Sequence, residues 1–229
     1  MKPMRLPTEQ QCLDYFTDYK VPGNIFRHCC KVREVAVFLA TRLQEKKVPI
    51  NVEFVSCLAY FHDLCKMVVI TDFGKNKFHK DAKITSEQKE FWEEMRKKYP
   101  QHYEGEVAYL IFKDAYPELA SSLRYVSSSK NEDPTWEQLI VHYADLRVLQ
   151  EKVVAASDRL AYLRQRYPHG DEVWDKHEQK IRQQEQKIFF PLSFDPDELG
   201  AKLEEMNREM KREMNRKIEQ TSSQVQHGQ

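Results

Sequence analysis

Residues 59–66 read AYFHDLCK, and they place two ionisable neighbours, His62 and Asp63, at the end of an apolar run. The alanine and the two aromatic residues before them predict a buried helix. A charged side chain in such a place is unfavourable unless it pairs with an opposite charge or binds a metal ion. The stretch therefore predicts a helical core that carries a polar site.

The composition of the 229-residue chain suits one domain with a small appendage. Hydrophobic residues make up 41% of it, which allows a sizeable core. Lysine plus arginine and aspartate plus glutamate both number 36, so the formal net charge is zero. This balance argues against bulk attraction to long nucleic acid or to an anionic membrane, and any cationic site is expected to be local.

The cysteine pattern and the N-terminal sequence indicate in which cellular compartment the protein is expected. Five cysteines without CxxC spacing predict neither a disulfide framework nor a thiolate zinc site, and buried free thiols are the simplest explanation. The N-terminus lacks an apolar signal core, and no stretch approaches the roughly 20 apolar residues of a membrane-spanning helix. We therefore expect a soluble, cytoplasmic protein.

Helical periodicity runs through almost the whole chain, and strand alternation is nearly absent. Capping residues predict four helix starts, at Thr8 with Gln11, at Asn24, at Asn51 and at Asp133 with Pro134. The last of these predicts one helix from about residue 134 to 166, straight or bent. The sequence thus predicts an all-α fold.

Two regions are expected from this pattern. Residues 1–190 form a compact multi-helix bundle, and residues 191–229 form a charged helical extension with a disordered tail. The last helix carries an apolar stripe at spacings of three and four residues, made of Leu203, Met206, Met210, Met214 and Ile218. Such a stripe either packs on the domain or pairs with a second copy as a short coiled coil, which would make a homodimer.

Three polar residues occupy core positions on three different helices. Each has apolar residues three or four positions before and after it, and they are His28, His62 and Asp145. Asp63 can turn toward the same point if its helix ends there. One histidine on an apolar face is more often a core residue bonded to a carbonyl. Several uncompensated inward groups, however, would cost several kcal/mol, and one divalent cation would satisfy them together.

The residues and their order resemble the HD superfamily of metal-dependent phosphohydrolases. The resemblance spans about residues 22 to 166. It is carried by four segments, HCCKVREVAVFLATRL (28–43), FVSCLAYFHDLCK (54–66), HYEGEVAYLIF (102–112) and IVHYADLRV (140–148). The dipeptide alone is a weak signal, whereas the ordered set in helical context is specific. The resemblance implies an HD-domain-like helical bundle.

The resemblance also implies a set of site residues. It makes His28, His62, Asp63 and Asp145 metal ligands, and their chemistry suits Mn²⁺ or Fe²⁺, with Co²⁺, Zn²⁺ or Mg²⁺ as alternatives. Members with two metals would use His102 as well. They commonly carry further histidines before the final aspartate, where this chain has Ser127–Ser129. This departure argues against a di-iron oxygenase.

The expected reaction is hydrolysis by metal-activated water, with Asp63 at the centre of the site. Phosphoryl transfer needs positive charge around the phosphoryl oxygens, and Lys66 lies one turn beyond His62. Lys75 and Lys77 follow in a lysine-rich loop, which is either a cationic lid or a solvated connection. Arg147 is a further candidate for substrate binding. His102, if it is not a ligand, would bind phosphate or act as a general acid.

Three functions are therefore open, in descending order. The first is a phosphohydrolase acting on a small phosphate ester, with a nucleotide as the expected substrate. The second is a regulatory or nucleotide-binding module with little turnover, which the incomplete histidine set favours. The third is an oxygenase on the same scaffold.

Overall fold

The computed structural model describes residues 4–71, 83–126, 133–167 and 169–226. It confirms the all-α prediction, since 72% of the chain is helical and the described residues contain only one small sheet. The α-helices are α1 (Glu9–Asp18), α2 (Gly23–Glu45), α3 (Val52–Phe61), α4 (Ser86–Lys98), α5 (Glu104–Phe112), α6 (Pro117–Val126), α7 (Trp136–Leu146), α8 (Ala156–Arg164), α9 (Asp171–Phe189) and α10 (Leu199–Gln226). Strands β1 (Val148–Leu149) and β2 (Lys152–Val153) form an antiparallel hairpin.

Side-chain caps define several of the helix starts. Thr8 caps α1 in a capping box with Gln11, and Asn51 accepts a hydrogen bond from the Phe54 amide at 3.0 Å, as predicted. The predicted cap at Asn24 is wrong, because α2 begins at Gly23 with Pro22 before it. Helix α7 is capped by Thr135 with Gln138, two residues after the predicted Asp133.

The core lies where α2 packs against α3 and α7, and α3 also contacts α6 and α7. These helices contribute uniformly buried apolar side chains, among them Val35, Leu39, Leu58, Ile140 and Val141. Phe61 at the end of α3 stacks on Phe112 of α5, with ring centroids 4.8 Å apart. This packing brings the end of α3 to the middle of the bundle.

The single helix predicted from 134 to 166 is a helix–hairpin–helix unit. Helix α7 stops at Leu146, and the hairpin pairs Val148 with Val153 before α8 begins. The Arg147 carbonyl accepts a hydrogen bond from the Val154 amide at 2.8 Å. This bond closes the base of the hairpin that interrupts the two helices. The valines favour the extended conformation here because their β-branched side chains pack well in strands.

The chain divides into two compact units, Met1–Leu192 and Ser193–Gln229. The second unit consists of α10 and the short 3-10 turn Pro196–Glu198 before it. Met210 and Met214 are more than half exposed, and Lys217 pairs with Glu213 one turn earlier at 3.0 Å. Pairing of this helix with a second copy stays a prediction.

Two further expectations concern the cysteines and the membrane. All five cysteines are free, and four of them are buried. Within the described part of the chain, every helix is too short or too polar to cross a membrane.

Candidate metal centre

Three of the four predicted metal ligands converge in the core, and we call them the metal cluster: His28 of α2, His62 directly after α3, and Asp145 of α7. One ligand atom of each lies within 4.8 Å of the others. The Asp145 Oδ1 atom is 3.0 Å from Nε2 of His28 and 3.8 Å from Nε2 of His62. Two ligands that each lie about 2.1 Å from one ion are roughly 3–4 Å apart, so the three residues could hold one metal ion.

His62 takes its position from the end of α3. After Phe61 the chain tightens, and the Leu64 amide bonds to the Phe61 carbonyl at 3.1 Å. The Nδ1 atom of His62 lies 2.7 Å from the Ala59 carbonyl. Because a carbonyl oxygen only accepts, Nδ1 of the neutral ring carries the proton, and Nε2 presents its lone pair to the space between His62 and Asp145.

The Nε2 atom of His62 is buried and has no hydrogen-bond partner. A buried acceptor without a donor costs about 1–3 kcal/mol. The side chain is only 1% exposed, so water does not reach it freely. A bound cation would satisfy this atom, as it does in proteins where the second ring nitrogen of a ligating histidine donates to a carbonyl.

His28 is held in the same way. Its Nδ1 atom lies 3.0 Å from the Gln150 carbonyl, which leaves Nε2 facing the Asp145 carboxylate. Burial lowers the pKa of His28, but the Asp145 carboxylate outweighs it and raises the pKa above its ordinary value. Without metal, the proton of this hydrogen bond lies between Nε2 and the carboxylate, in the place where a metal ion would bind.

Asp63, the fourth predicted ligand, lies beside the metal cluster and not within its group of three. Its Oδ2 atom is 4.0 Å from Nε2 of His62, and its Oδ1 atom is 3.3 Å from the Lys66 ammonium. Burial opposes ionisation, yet the neighbouring Lys66 ammonium holds the pKa of Asp63 below its usual value. The carboxylate thus presents one oxygen to the metal cluster and the other to Lys66.

Glu104 is a site residue that the sequence analysis missed. It is the first residue of α5, and its carboxylate accepts a hydrogen bond from Lys66 at 2.9 Å. Gly105 beside it permits a close approach to α6, because a Cβ there would lie 2.8 Å from the Leu123 carbonyl. Burial lowers the pKa of Lys66, but Asp63 and Glu104 raise it well above its usual value, so the ammonium stays charged.

Of the other predicted site residues in this part of the chain, the structure describes His102. The imidazole of His102 is 2.9 Å from the Pro100 carbonyl and packs near Tyr99, outside the metal cluster. Lys75 and Lys77 lie outside the described residues, as do Ser127–Ser129.

Arg147 was predicted to bind substrate, and the structure gives it an internal role instead. It is 2% exposed, and its guanidinium donates to the Val154 carbonyl at 2.6 Å and to the Tyr143 hydroxyl. The same hydroxyl donates to Glu185 at 2.7 Å, and Glu185 also pairs with Arg147 at 3.7 Å. We call this group, Arg147 with Tyr143, Glu185 and the Val154 carbonyl, the arginine clamp.

The pKa of Asp145 lies well below its usual value although burial opposes this, chiefly because of the hydrogen bond with His28 and to a lesser degree because of the charge of Arg159. Arg159 belongs to α8 and is 9% exposed. No pattern in the sequence links Arg159 to Asp145, because their distance in space depends on the hairpin between α7 and α8.

No protein-family model, curated protein or solved structure matches this chain.

Proposed function

We propose that this protein is a metal-dependent phosphohydrolase of HD-domain type that acts on a small phosphate ester, with a nucleotide as the expected substrate. The observation that carries the proposal is the buried Nε2 atom of His62, which has no hydrogen-bond partner and faces the Asp145 carboxylate at 3.8 Å. Imidazole and carboxylate ligands together suit Mn²⁺ or Fe²⁺. The ordered sequence segments that resemble the HD superfamily support the same assignment.

When bound, the metal ion would supply an acidified water and polarise a phosphoryl oxygen. His28, His62 and Asp145 would hold the ion, and Asp63 would reach it through Oδ2. Three or four protein ligands leave room for water and substrate on a six-coordinate ion. The ligand set is therefore compatible with hydrolysis.

Lys66 is the residue best placed to contact the phosphoryl group. An ammonium has three N–H donors, and the hydrogen bond of Lys66 to Glu104 uses one of them, while Asp63 pairs with the charge at 3.3 Å. The Lys66 side chain is 32% exposed, so a remaining donor can point toward solvent and a bound anion. The two carboxylates fix its distance from the metal cluster, as positioning in phosphoryl transfer requires.

A regulatory or nucleotide-binding module is the second candidate, and one observation favours it. Two carboxylates already neutralise the Lys66 charge, so the described part of the site offers little excess positive charge to a phosphate. An oxygenase ranks lower, because the residues described here form a single three-ligand group and no second one.

Metal content and turnover separate these candidates. The protein would be stripped with EDTA, reloaded separately with Mn²⁺, Fe²⁺, Co²⁺, Zn²⁺ and Mg²⁺, and tested on a panel of nucleotides and simple phosphate esters. We expect one equivalent of metal and release of inorganic phosphate that Asp63→Asn abolishes. Full metal occupancy without release of phosphate or consumption of oxygen would support the binding module. Two irons per chain would support the oxygenase.

A further inference from the structure

The β1–β2 hairpin approaches α2 at two adjacent positions. The Gln150 carbonyl accepts from Nδ1 of His28 at 3.0 Å, and Glu151 pairs with Arg27 at 2.6 Å. Two consecutive residues of the hairpin turn thus contact two consecutive residues of α2, the helix that supplies the predicted ligand His28. The contact with His28 is made by a backbone oxygen, so its geometry depends on the conformation of the turn.

That conformation is unusual for the residue involved. Gln150 has a φ of 60°, in the left-handed region that non-glycine residues seldom adopt. Its side chain is exposed, so the fold gains no core packing from it. Such backbone conformations persist only where the surrounding structure determines them.

The arginine clamp supplies that determination. Arg147 stands on one side of the hairpin base and makes two hydrogen bonds to Val154 on the other side. Its carbonyl accepts from the Val154 amide, and its guanidinium donates to the Val154 carbonyl. The register pairs Leu149 with Lys152, which leaves Gln150 and Glu151 as the two-residue turn. Since Arg147 is buried and bonded twice to Val154, the base of the hairpin is fixed, and the position of the Gln150 carbonyl is fixed with it.

We propose that Gln150 is a positioning residue for the metal centre, whose left-handed backbone aims its carbonyl at His28 and holds that imidazole in the metal-binding tautomer. The inference rests on the metal centre of the proposed function. Carbonyl and carboxylate groups that orient metal-binding histidines typically change metal affinity by about 10–100-fold when they are lost. An exposed turn residue would thereby set the affinity of a buried site.

The test compares three variants at this one position. Gln150→Gly and Gln150→Asn tolerate a left-handed backbone, and we expect both to bind Mn²⁺ within about threefold of wild type. Gln150→Val disfavours that conformation because of its β-branched side chain, and we expect Mn²⁺ binding about 10–100-fold weaker. Affinity would be measured by competition with a fluorescent chelator on the full chain.

Lys47→Val provides the matched control. Lys47 also has a positive φ, 67°, and is exposed, but it lies after the C-terminus of α2, far along that helix from His28. This variant carries the same kind of backbone penalty without touching the metal cluster. We expect it to lower the melting temperature of the metal-free protein as Gln150→Val does, and to leave Mn²⁺ affinity unchanged.

A spectroscopic readout tests the tautomer directly. In the Zn²⁺-loaded wild type, the ¹⁵N shifts of His28 should show a protonated Nδ1 and a metal-bound Nε2. In Gln150→Val this pattern should be lost or mixed. Equal affinity and equal His28 shifts in wild type and Gln150→Val would overturn the proposal, and so would a Lys47→Val variant that binds as weakly. A wild type that binds no metal would reject the metal centre and this inference together.

Discussion

Helix α7 carries two buried polar groups on opposite faces, and they differ in one respect. In the arginine clamp, the donors of Arg147 meet the Val154 carbonyl and the Tyr143 hydroxyl, and Glu185 neutralises the charge. In the metal cluster, the Nε2 atom of His28 bonds to the Asp145 carboxylate, whereas the Nε2 atom of His62 has no hydrogen-bond partner. The first group is complete without a ligand, whereas the second is not.

The difference indicates what each group does. A buried polar network whose members are all satisfied rigidifies a fold, and here it fixes the end of α7 and the hairpin. A buried network with an unsatisfied member is costly, and a ligand that completes the network removes that cost. Changes to the arginine clamp should therefore alter stability, and changes to the metal cluster should alter metal binding.

The largest effect is expected from His62→Ala. Removing this imidazole takes away a ligand atom that is already aimed at Asp145, so Mn²⁺ affinity should fall by more than about 100-fold. His142→Ala is the control, since this histidine lies on α7 one turn before Asp145 but bonds to Gln184 at 3.3 Å. Equilibrium dialysis of both variants measures the difference. Unchanged metal binding in His62→Ala would remove the metal cluster from consideration.

Arg147→Met tests the other side of the comparison. It leaves the Val154 carbonyl without its donor and removes the buried charge that pairs with Glu185, and we expect a loss of about 3 kcal/mol in the free energy of unfolding. Arg164→Met should change it by less than about 1 kcal/mol, because the Arg164–Asp175 pair is largely exposed. Urea unfolding in EDTA measures both. Equal losses would mean that the arginine clamp contributes no more than a surface pair.

Lys66→Met should separate substrate binding from metal binding. The variant should retain its metal, while KM for the phosphate ester should rise by about tenfold, because a charge-assisted hydrogen bond to the phosphoryl group is lost. Glu104→Gln should raise KM less, since Lys66 keeps its contact with Asp63. Glu106→Gln is the control on the same helix, because Glu106 pairs with Arg124 instead. Steady-state kinetics and metal analysis measure both properties. A Lys66→Met variant that loses its metal or keeps the wild-type KM would contradict a role of Lys66 in substrate binding.

The smallest effect concerns pH. Burial lowers the pKa of His142; Lys180 and His177 act in the same direction, whereas Asp145 opposes them. The unfolded state therefore takes up protons first, and the stability that neutral His142 contributes is present above about pH 6.5 and lost as the pH falls toward the lower folded pKa. In EDTA, the stability of His142→Gln should fall less steeply between about pH 6.5 and 5 than that of wild type. Parallel curves would contradict the pKa shift.

The sequence predicted those features that depend on neighbours in the chain. The caps at Thr8 and Asn51 follow from local hydrogen bonding. The apolar stripes around His28, His62 and Asp145 predicted their inward direction, because helical periodicity places residues three and four apart on one face. Their convergence then follows from packing the three helices around one core.

The features that were missed depend on distant partners or on a weak local signal. Lys66 and Glu104 are 38 residues apart, and no pattern in either segment links them. The hairpin turn at Gln150 lacks the glycine, asparagine or aspartate that marks such turns, so the segment was predicted as helix. The position of Arg147 away from the metal cluster could have been predicted. It follows Asp145 by two residues, which places it about 200° around the helix and therefore on the opposite face.

The distance along the chain between the two ends of the metal cluster has a kinetic consequence. His28 and Asp145 are separated by 117 residues, so the site is complete only after a long loop has closed and most of the bundle has formed. A metal ion that binds only the completed site stabilises the native state and not the earlier states on the folding pathway. We therefore expect Mn²⁺ to slow unfolding while the refolding rate stays the same, so that bound metal lengthens the lifetime of the folded chain.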